Sequence, residues 1–485
     1  MDSLKHLSNS EVYHQLTEEE ALALAETLKS EIEEWCDKYK HVIGSNAYTY
    51  ITSHLSANES SPFGQFYIMY KIHKELEDDG RWPTRPVCSD VTSLPHGLGK
   101  WVTEKLHPIQ QAQDSYFKDS FELKKLLDET ELPPNALLFT SDAKSMYTNI
   151  KTTPALETIG AFLRNERHSL DTLEVSALTE ALHLVFHNNM FKLGDTFWLQ
   201  TSGTAMGTPP APPWATIFYA MHERNMVPRW QKHVLLYKRF IDDVIGVWLV
   251  DPDPQRNEQL WTEFCADMNN WYGLEWKCTT PSNTVNFMDL TISIVDGRFE
   301  TTLYEKEMNL YLYIPPHSSH PRGVFTGLVF GQVLRIRRLC SKTDDADMKI
   351  GQFFTRLLAR DHTRETLEPL FRRAEENAAN YLHRSPEQHE AIRQQKAAES
   401  SSQVFFHLQY HPEDPPSRDI QCLWRDYVSH PQGELPLSEM ENLDGAKVGF
   451  NKLMVAYSRP LNLRNRFSVR DIHGRGQPVS SFLVK

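Results

Sequence analysis

The sequence predicts an α+β fold, on three observations. Short β-rich runs at 136–140 and 234–250 occupy the middle of the chain, helical patterns flank them on both sides, and no internal repeat organises the remainder. At 485 residues the chain has length for about three domains of roughly 150 residues each, ample for a large buried core.

Thr17-Glu18-Glu19-Glu20 has the spacing of a capping box. The segment after it, to about Tyr39, places Leu22, Leu24, Leu28, Ile32 and Trp35 on a helical period, so an acidic helix is expected within a flanking extension over 1–60. From Phe66 to about Thr140 the pattern is mixed, with Pro83, Pro86 and Pro108 interrupting any long helix. Residues 136–140 read as a short buried strand and 153–190 as helical. A Pro-rich run at 208–213 leads into an apolar helix over 215–226. Residues 234–250 read as two strands on either side of Asp242-Asp243, an acidic pair expected to form the turn of a hairpin. Past 300 come short strands, then helices over 327–340, 346–360 and 366–398. Glu399-Ser400-Ser401-Ser402 reads as a linker, followed by a smaller unit with a strand at 404–408 and a Pro-rich turn at 412–416.

Charge at first argues against a polyanionic partner: 51 Lys and Arg face 64 Asp and Glu, a net −13. Residues 1–60 hold 4 basic and 11 acidic side chains and 251–300 hold 3 and 9, so these two stretches account for the whole deficit. Between Arg322 and Lys342 there are five basic residues and no acid, and from Lys447 to Lys485 eight against one. Six scattered cysteines, with no zinc-type spacing, predict a reducing compartment and no structural zinc. The amino terminus lacks a signal-peptide pattern and the longest apolar run, 244–250, cannot cross a bilayer, so an intracellular protein with no membrane partner is expected.

The chemistry lies in three carboxylates. Asp242 and Asp243 interrupt an apolar run, and Asp142 ends the strand at 137–141. A solvated Asp-Asp turn is the plain alternative. If the three gather, each pair repels by about 4 kcal/mol at 4 Å in an effective dielectric near 20, and they require cations. All-oxygen ligands of this charge suit Mg²⁺, and two such ions form a clamp for phosphoryl transfer. Between these acids lies Gly203-Thr204-Ala205-Met206-Gly207-Thr208-Pro209, a loop that lets backbone approach a ligand closely.

In this order, Asp142 with Tyr147 five residues on, the Gly203 loop, and Phe240-Ile241-Asp242-Asp243 resemble motifs A, B and C of the right-hand palm of reverse transcriptases. The detailed wording is similar to the Penelope-like retroelement reverse transcriptases, relatives of telomerase. The matching strings include 66–74, Arg85-Pro86-Val87, 141–150, 286–292, His320-Pro321, 335–340 and 456–464, so the resemblance spans about 60–470.

The resemblance implies a right-hand polymerase: fingers over 61–135, a palm with an antiparallel sheet over 136–300, a largely helical thumb over 301–400 and a basic region over 401–485. It implies an RNA-directed DNA polymerase working with two Mg²⁺, or Mn²⁺ in their place, on dNTPs, an RNA template and a DNA primer, in a nuclear setting. Asp142, Asp242 and Asp243 become the catalytic and metal-binding acids. Tyr147 becomes the gate against a ribose 2′-hydroxyl, Arg85 and Lys71 contacts to the triphosphate, and Gly203 a wall of the nucleotide pocket. Phe287 and Met288 become the primer grip. Arg335 and Arg338, three apart on one helix face within a cluster that includes Arg337, become duplex contacts, extended by Arg459, Arg464 and Arg466. A form without the family's GIY-YIG endonuclease, or a truncated copy or fragment, is expected. A template-independent nucleotidyl transferase and a catalytically silent nucleic-acid-binding relic of the same fold are the alternatives.

Overall fold

The computed structural model describes residues 2–59, 61–72, 74–166, 168–306, 309–400, 403–411, 413–429, 452–458, 469–470 and 476–477. His73, Pro412, Arg459, Arg464 and Arg466, together with the side chain of Arg322, lie outside the described residues. The architecture mixes helices with mostly antiparallel sheets, and the chain divides into two compact units, Met1–Asn309 and Leu310–Lys485.

In the first unit the amino-terminal segment is part of the core and not an appendage. Thr17 caps the helix Glu18–Lys38 through a complete capping box with Glu20. The buried stripe of that helix is Ala21, Ala25, Leu28, Ile32, Trp35 and Cys36, while Leu22 and Leu24 of the expected stripe face solvent. Two alanines at the start of the stripe allow close packing where leucines were expected to fill the interface. Trp35 donates from its indole to the Ala177 carbonyl at 3.1 Å and packs edge-on to Trp101.

The strand Tyr13–Leu16 pairs with Thr196–Gln200 and so opens a five-stranded mixed sheet. This sheet continues through Asn189–Leu193 and Gly64–Tyr70 to an edge strand, Thr84–Ser89. The hairpin over 189–200 was not expected from the sequence. Its turn is Gly194-Asp195, with Gly194 at φ 59°, a glycine-type two-residue connection. The helical stretch before it is two helices, Thr152–Asn165 and Thr172–His187, the second started by a capping box between Asp171 and Glu174.

A second sheet of four antiparallel strands runs in the order Val234–Phe240, Asp243–Leu249, Ala136–Ala143, Trp276–Cys278. Val244, Ile245, Val247 and Trp248 are fully buried, as expected of a central strand with both faces covered. Gly246 is required there, because a Cβ would lie 2.3 Å from the Phe139 ring. The apolar helix begins earlier than expected, at Ala211, since Pro212 and Pro213 are tolerated in its first turn; it ends at Arg229. Trp214, Ile217, Phe218 and Tyr219 on it are buried. A three-stranded sheet, Thr284–Phe287, Leu290–Val295 and Arg298–Leu303, completes the part of this unit that bears on the site.

In the second unit the helices Arg322–Leu339, Thr343–Leu358 and Arg364–Leu382 bury Val329, Val333, Ile336, Phe353, Leu367 and Phe371. The helix expected over 366–398 is two, because Pro386 starts a new one, Pro386–Ser400, which takes in the first half of the expected linker. Gln403–Gln409 and Lys452–Ser458 then form a parallel pair beside the helix Ser417–Ser429.

Because the amino-terminal helix is core, Trp35→Ala is expected to cost about 3–5 kcal/mol in urea unfolding of the whole chain. A loss below about 1 kcal/mol would mean that residues 1–60 are dispensable.

Candidate functional site

Two of the three acids are opposed on the four-stranded sheet, and the third adjoins them in a turn. Asp142 on Ala136–Ala143 is the direct cross-strand partner of Asp243, the first residue of the next strand. Asp242 lies in the connecting turn, and its carbonyl accepts from the Ala143 amide at 2.9 Å. The turn consists of Ile241 and Asp242, closed by the pair Phe240 and Asp243. This corrects the expected Asp242-Asp243 turn by one residue and places a β-branched side chain at φ 57°. Such a conformation normally falls to glycine and costs about 1–3 kcal/mol.

Arg239 holds that conformation. Its side chain is fully buried, donating from Nε and Nη2 to the two carboxylate oxygens of Glu223 at 2.6 and 2.8 Å. Nη2 also reaches the Thr216 carbonyl at 2.8 Å, and Nη1 reaches the Ile241 carbonyl at 2.9 Å. Ser115 closes the network, its hydroxyl donating to Glu223 at 2.6 Å and its carbonyl accepting from the Arg239 amide at 2.8 Å. Sequence reading missed Glu223; the one available signal was an acid within an apolar helix.

Like charges face each other between adjacent strands, and each disfavours the ionised form of its neighbour. Burial, then Asp242 and Asp142, pushes the Asp243 carboxyl up to about 6, with Lys306 acting in the opposite sense. Burial and then Asp142 also raise Asp242, while Arg85 and Arg239 oppose the rise. Burial lowers the Lys71 ammonium, as do Lys74 and Arg85, while Asp142 and Asp242 favour its charge. Lys71 and Arg85 therefore sit within electrostatic reach of the acids. Lys277 is the cross-strand partner of Asp142.

The glycine loop joins the elements around the acids. Gly203, at φ 73°, lies against the short helix Met146–Asn149: a Cβ would come 2.6 Å from the Tyr147 carbonyl, and that carbonyl accepts from the Thr204 amide at 2.7 Å. Gly207, at φ 127°, lies against the edge strand that carries Arg85, where a Cβ would be 2.2 Å from the Cys88 carbonyl. The Cys88 amide donates to the Met206 carbonyl at 2.9 Å. Burial raises the Tyr147 phenol well above its ordinary range, with Asp242 adding to the rise and Arg85 opposing it. The ring is thus close to both charges.

Phe287 and Met288 separate. Phe287 is 4% exposed and packs against Phe117, so its side chain faces the core and not a ligand. Met288, at φ 52°, turns the chain and lines an open groove with Asp289, Ser120, Lys118, Phe240 and Asp243. The Ser120 hydroxyl donates to Asp289. Arg335 and Arg338 are half-buried in the second unit, with Arg338 over the Tyr381 ring. Arg337 is taken up by Glu375 and Asp347 at 2.6–2.9 Å, so this member of the expected basic cluster is paired within the chain.

Among the described residues, no three His, Cys, Asp or Glu side chains form a cage sufficient for a metal ion. The opposed carboxylates fit an ion that takes one or two carboxylates and completes its shell with water and substrate phosphate, as Mg²⁺ does. No helix among the described residues is long and apolar enough to cross a membrane.

A family model described as an animal helix-turn-helix domain matches residues 312–372. No curated protein matches the chain. Among solved structures it is similar to telomerase from Candida albicans in complex with a fragment of telomeric RNA, at 12% identity and TM-score 0.40, covering 56% of this chain and 50% of that one. It is similar to apo telomerase from Candida tropicalis, at 11% identity and TM-score 0.39, covering 56% and 52%. The RNA-dependent RNA polymerase of BmCPV is similar at 12% identity and TM-score 0.42, covering 73% and 31%. The chain spans about half the length of these telomerase chains. These likenesses are distant, and the chemistry of the site rests on its own residues.

Two outcomes follow from the buried charges. Glu223→Ala leaves Arg239 buried and unpaired, and is expected to cost about 3–5 kcal/mol in chemical denaturation. Asp243 holds its proton more tightly folded than at its ordinary value near 3.8, so its share of stability is present below that pH and is lost as pH rises through about 6. In chelator, Asp243→Asn is therefore expected to raise the thermal midpoint at pH 7.5 and to leave it unchanged at pH 3; equal shifts at both would contradict the assignment.

Proposed function

We propose that this chain is an RNA-directed DNA polymerase of the Penelope-like retroelement type, joining dNTPs to a DNA primer on an RNA template. The observation that carries this reading is the opposed pair Asp142 and Asp243, with Asp242 held in a locked turn, beside the cations Arg85 and Lys71 and the aromatic Tyr147. An acidic cluster flanked by cations matches a polyphosphate substrate bridged by divalent ions.

Asp142, Asp242 and Asp243 would hold two Mg²⁺. When bound, these ions favour the ionised primer 3′-hydroxyl and neutralise the charge that develops on pyrophosphate. The chain's own residues position the reactants. Arg85 presents a planar guanidinium to triphosphate oxygens, a task that favours bidentate contact, and Lys71 adds a point charge. Tyr147, whose carbonyl accepts from the loop after Gly203, would close the space that a ribose 2′-hydroxyl needs, and Gly203 would form a wall of the nucleotide pocket. Met288 at the lip of the groove beside Asp243 suits the primer end, with Phe287 as its internal support. Arg335 and Arg338, on one helix of the second unit, suit duplex phosphates.

Primer extension with an RNA template, dNTPs and Mg²⁺ tests this reading. The wild-type protein is expected to extend the primer. Asp242→Ala is expected to reduce extension to background while duplex binding persists, and its retention of activity would exclude the acidic hairpin as the reaction centre. Tyr147→Ala is expected to lower the preference for dNTPs over ribonucleotides at least about tenfold, or about 1.4 kcal/mol. Unchanged sugar discrimination would remove Tyr147 from the gate.

A further inference from the structure

The groove beside the acidic hairpin combines apolar surface with a single positive charge. Phe121, Phe240 and Met288 supply the apolar part, and Lys118 is the one cation among the described residues that line it. Two of its three carboxylates are engaged within the chain: Asp119 caps the helix Ser120–Glu129, accepting from the Phe121 and Glu122 amides at 3.0 Å, and Asp289 accepts from the Ser120 hydroxyl. A sugar–phosphate strand has the matching chemistry, an apolar sugar face edged by a phosphodiester anion.

Lys118 stands on backbone that is tied down residue by residue. The Ser115 carbonyl accepts from the Arg239 amide at 2.8 Å, and Tyr116 forms a β-bridge with Arg239. The Phe117 ring is buried, with its centroid 5.8 Å from that of Phe240 and 6.1 Å from that of Phe287. It therefore packs against both the hairpin and the strand that leads into the Met288 turn. The Lys118 amide donates to Glu122 at 2.6 Å, and Asp119 starts the helix. The Lys118 side chain is exposed and forms no ion pair with another described residue. An ammonium on so ordered a base meets an anion without the cost of first ordering the loop beneath it.

We propose that Lys118 binds a backbone phosphodiester of the primer next to its 3′ end, with the adjoining sugar against Phe240 and Met288. This rests on the polymerase reading above and adds to it the residue that holds the strand in the groove. Lys118→Ala keeps the backbone bond to Glu122 and removes only exposed atoms, so it tests binding without threatening the fold.

The test is the anisotropy of a labelled DNA primer annealed to an RNA template, titrated with the full chain at several salt concentrations. Lys118→Ala is expected to weaken binding about threefold to tenfold and to lower the slope of log affinity against log salt by about one contact, and Lys118→Arg to restore both. Lys125→Ala, which removes an exposed lysine paired with Glu129 on the adjoining helix, is expected to change neither. A primer whose terminal internucleotide linkages are neutral methylphosphonates is expected to lose the same affinity with wild-type protein and nothing further with Lys118→Ala. Losses that simply add, an unchanged slope, or an equal loss from Lys125→Ala would overturn the proposal. Wild-type protein that binds the duplex yet never extends it would remove the polymerase reading and leave the phosphate contact to be decided by the same binding cycle.

Discussion

Burying a guanidinium is costly, and the chain accepts that cost at one point behind the acidic hairpin. Glu223 accepts from Arg239 with both carboxylate oxygens, the Thr216 carbonyl accepts a further hydrogen bond, and Nη1 donates to the Ile241 carbonyl. Burial works against the charge of Arg239, and Glu223 more than restores it. What this arrangement secures is the turn: Ile241 adopts a left-handed conformation that its branched side chain disfavours, and that conformation carries Asp242 out beside Asp142 and Asp243. A buried pair of this kind adds little net stability. Its worth lies in fixing three like charges in one register.

The same logic of enforced proximity runs through the glycine loop. Gly203 and Gly207 bring one backbone segment against the Tyr147 helix on one side and the Arg85 strand on the other, at distances that exclude a side chain. Aromatic ring, guanidinium and acids come from separate elements, and this loop and the Arg239 network hold them together. Strain at Ile241 and Met288, both at positive φ, marks where the backbone is bent to present functional groups.

Much of the site was legible in the sequence because charge stands out against an apolar strand. Asp142, Asp242 and Asp243 interrupt such runs, and Gly203 and Gly207 mark backbone that must approach closely. The turn was misplaced by one residue because two aspartates look like a polar turn, whereas its true first residue, Ile241, obeys a tertiary contact and not local propensity. Glu223 was hidden for a related reason: its partner lies sixteen residues away across a packed interface, and no periodicity links them. Phe287 reads as a ligand contact by resemblance, yet strand alternation turns its ring inward and leaves the groove to Met288. At the amino terminus, large leucines suggested a flanking helix, while small alanines made the contact that draws it into the core.

The central claim is that the acidic hairpin performs templated DNA synthesis. The most direct measurement supplies one dNTP at a time to the purified full chain, bound to a DNA primer on an RNA template of known sequence, and reads each single-nucleotide addition. The account predicts addition only of the dNTP complementary to the next template base, and none when Asp242 is replaced by Ala. Addition of all four dNTPs at similar rates, or none by a protein that binds the primer–template, would contradict it.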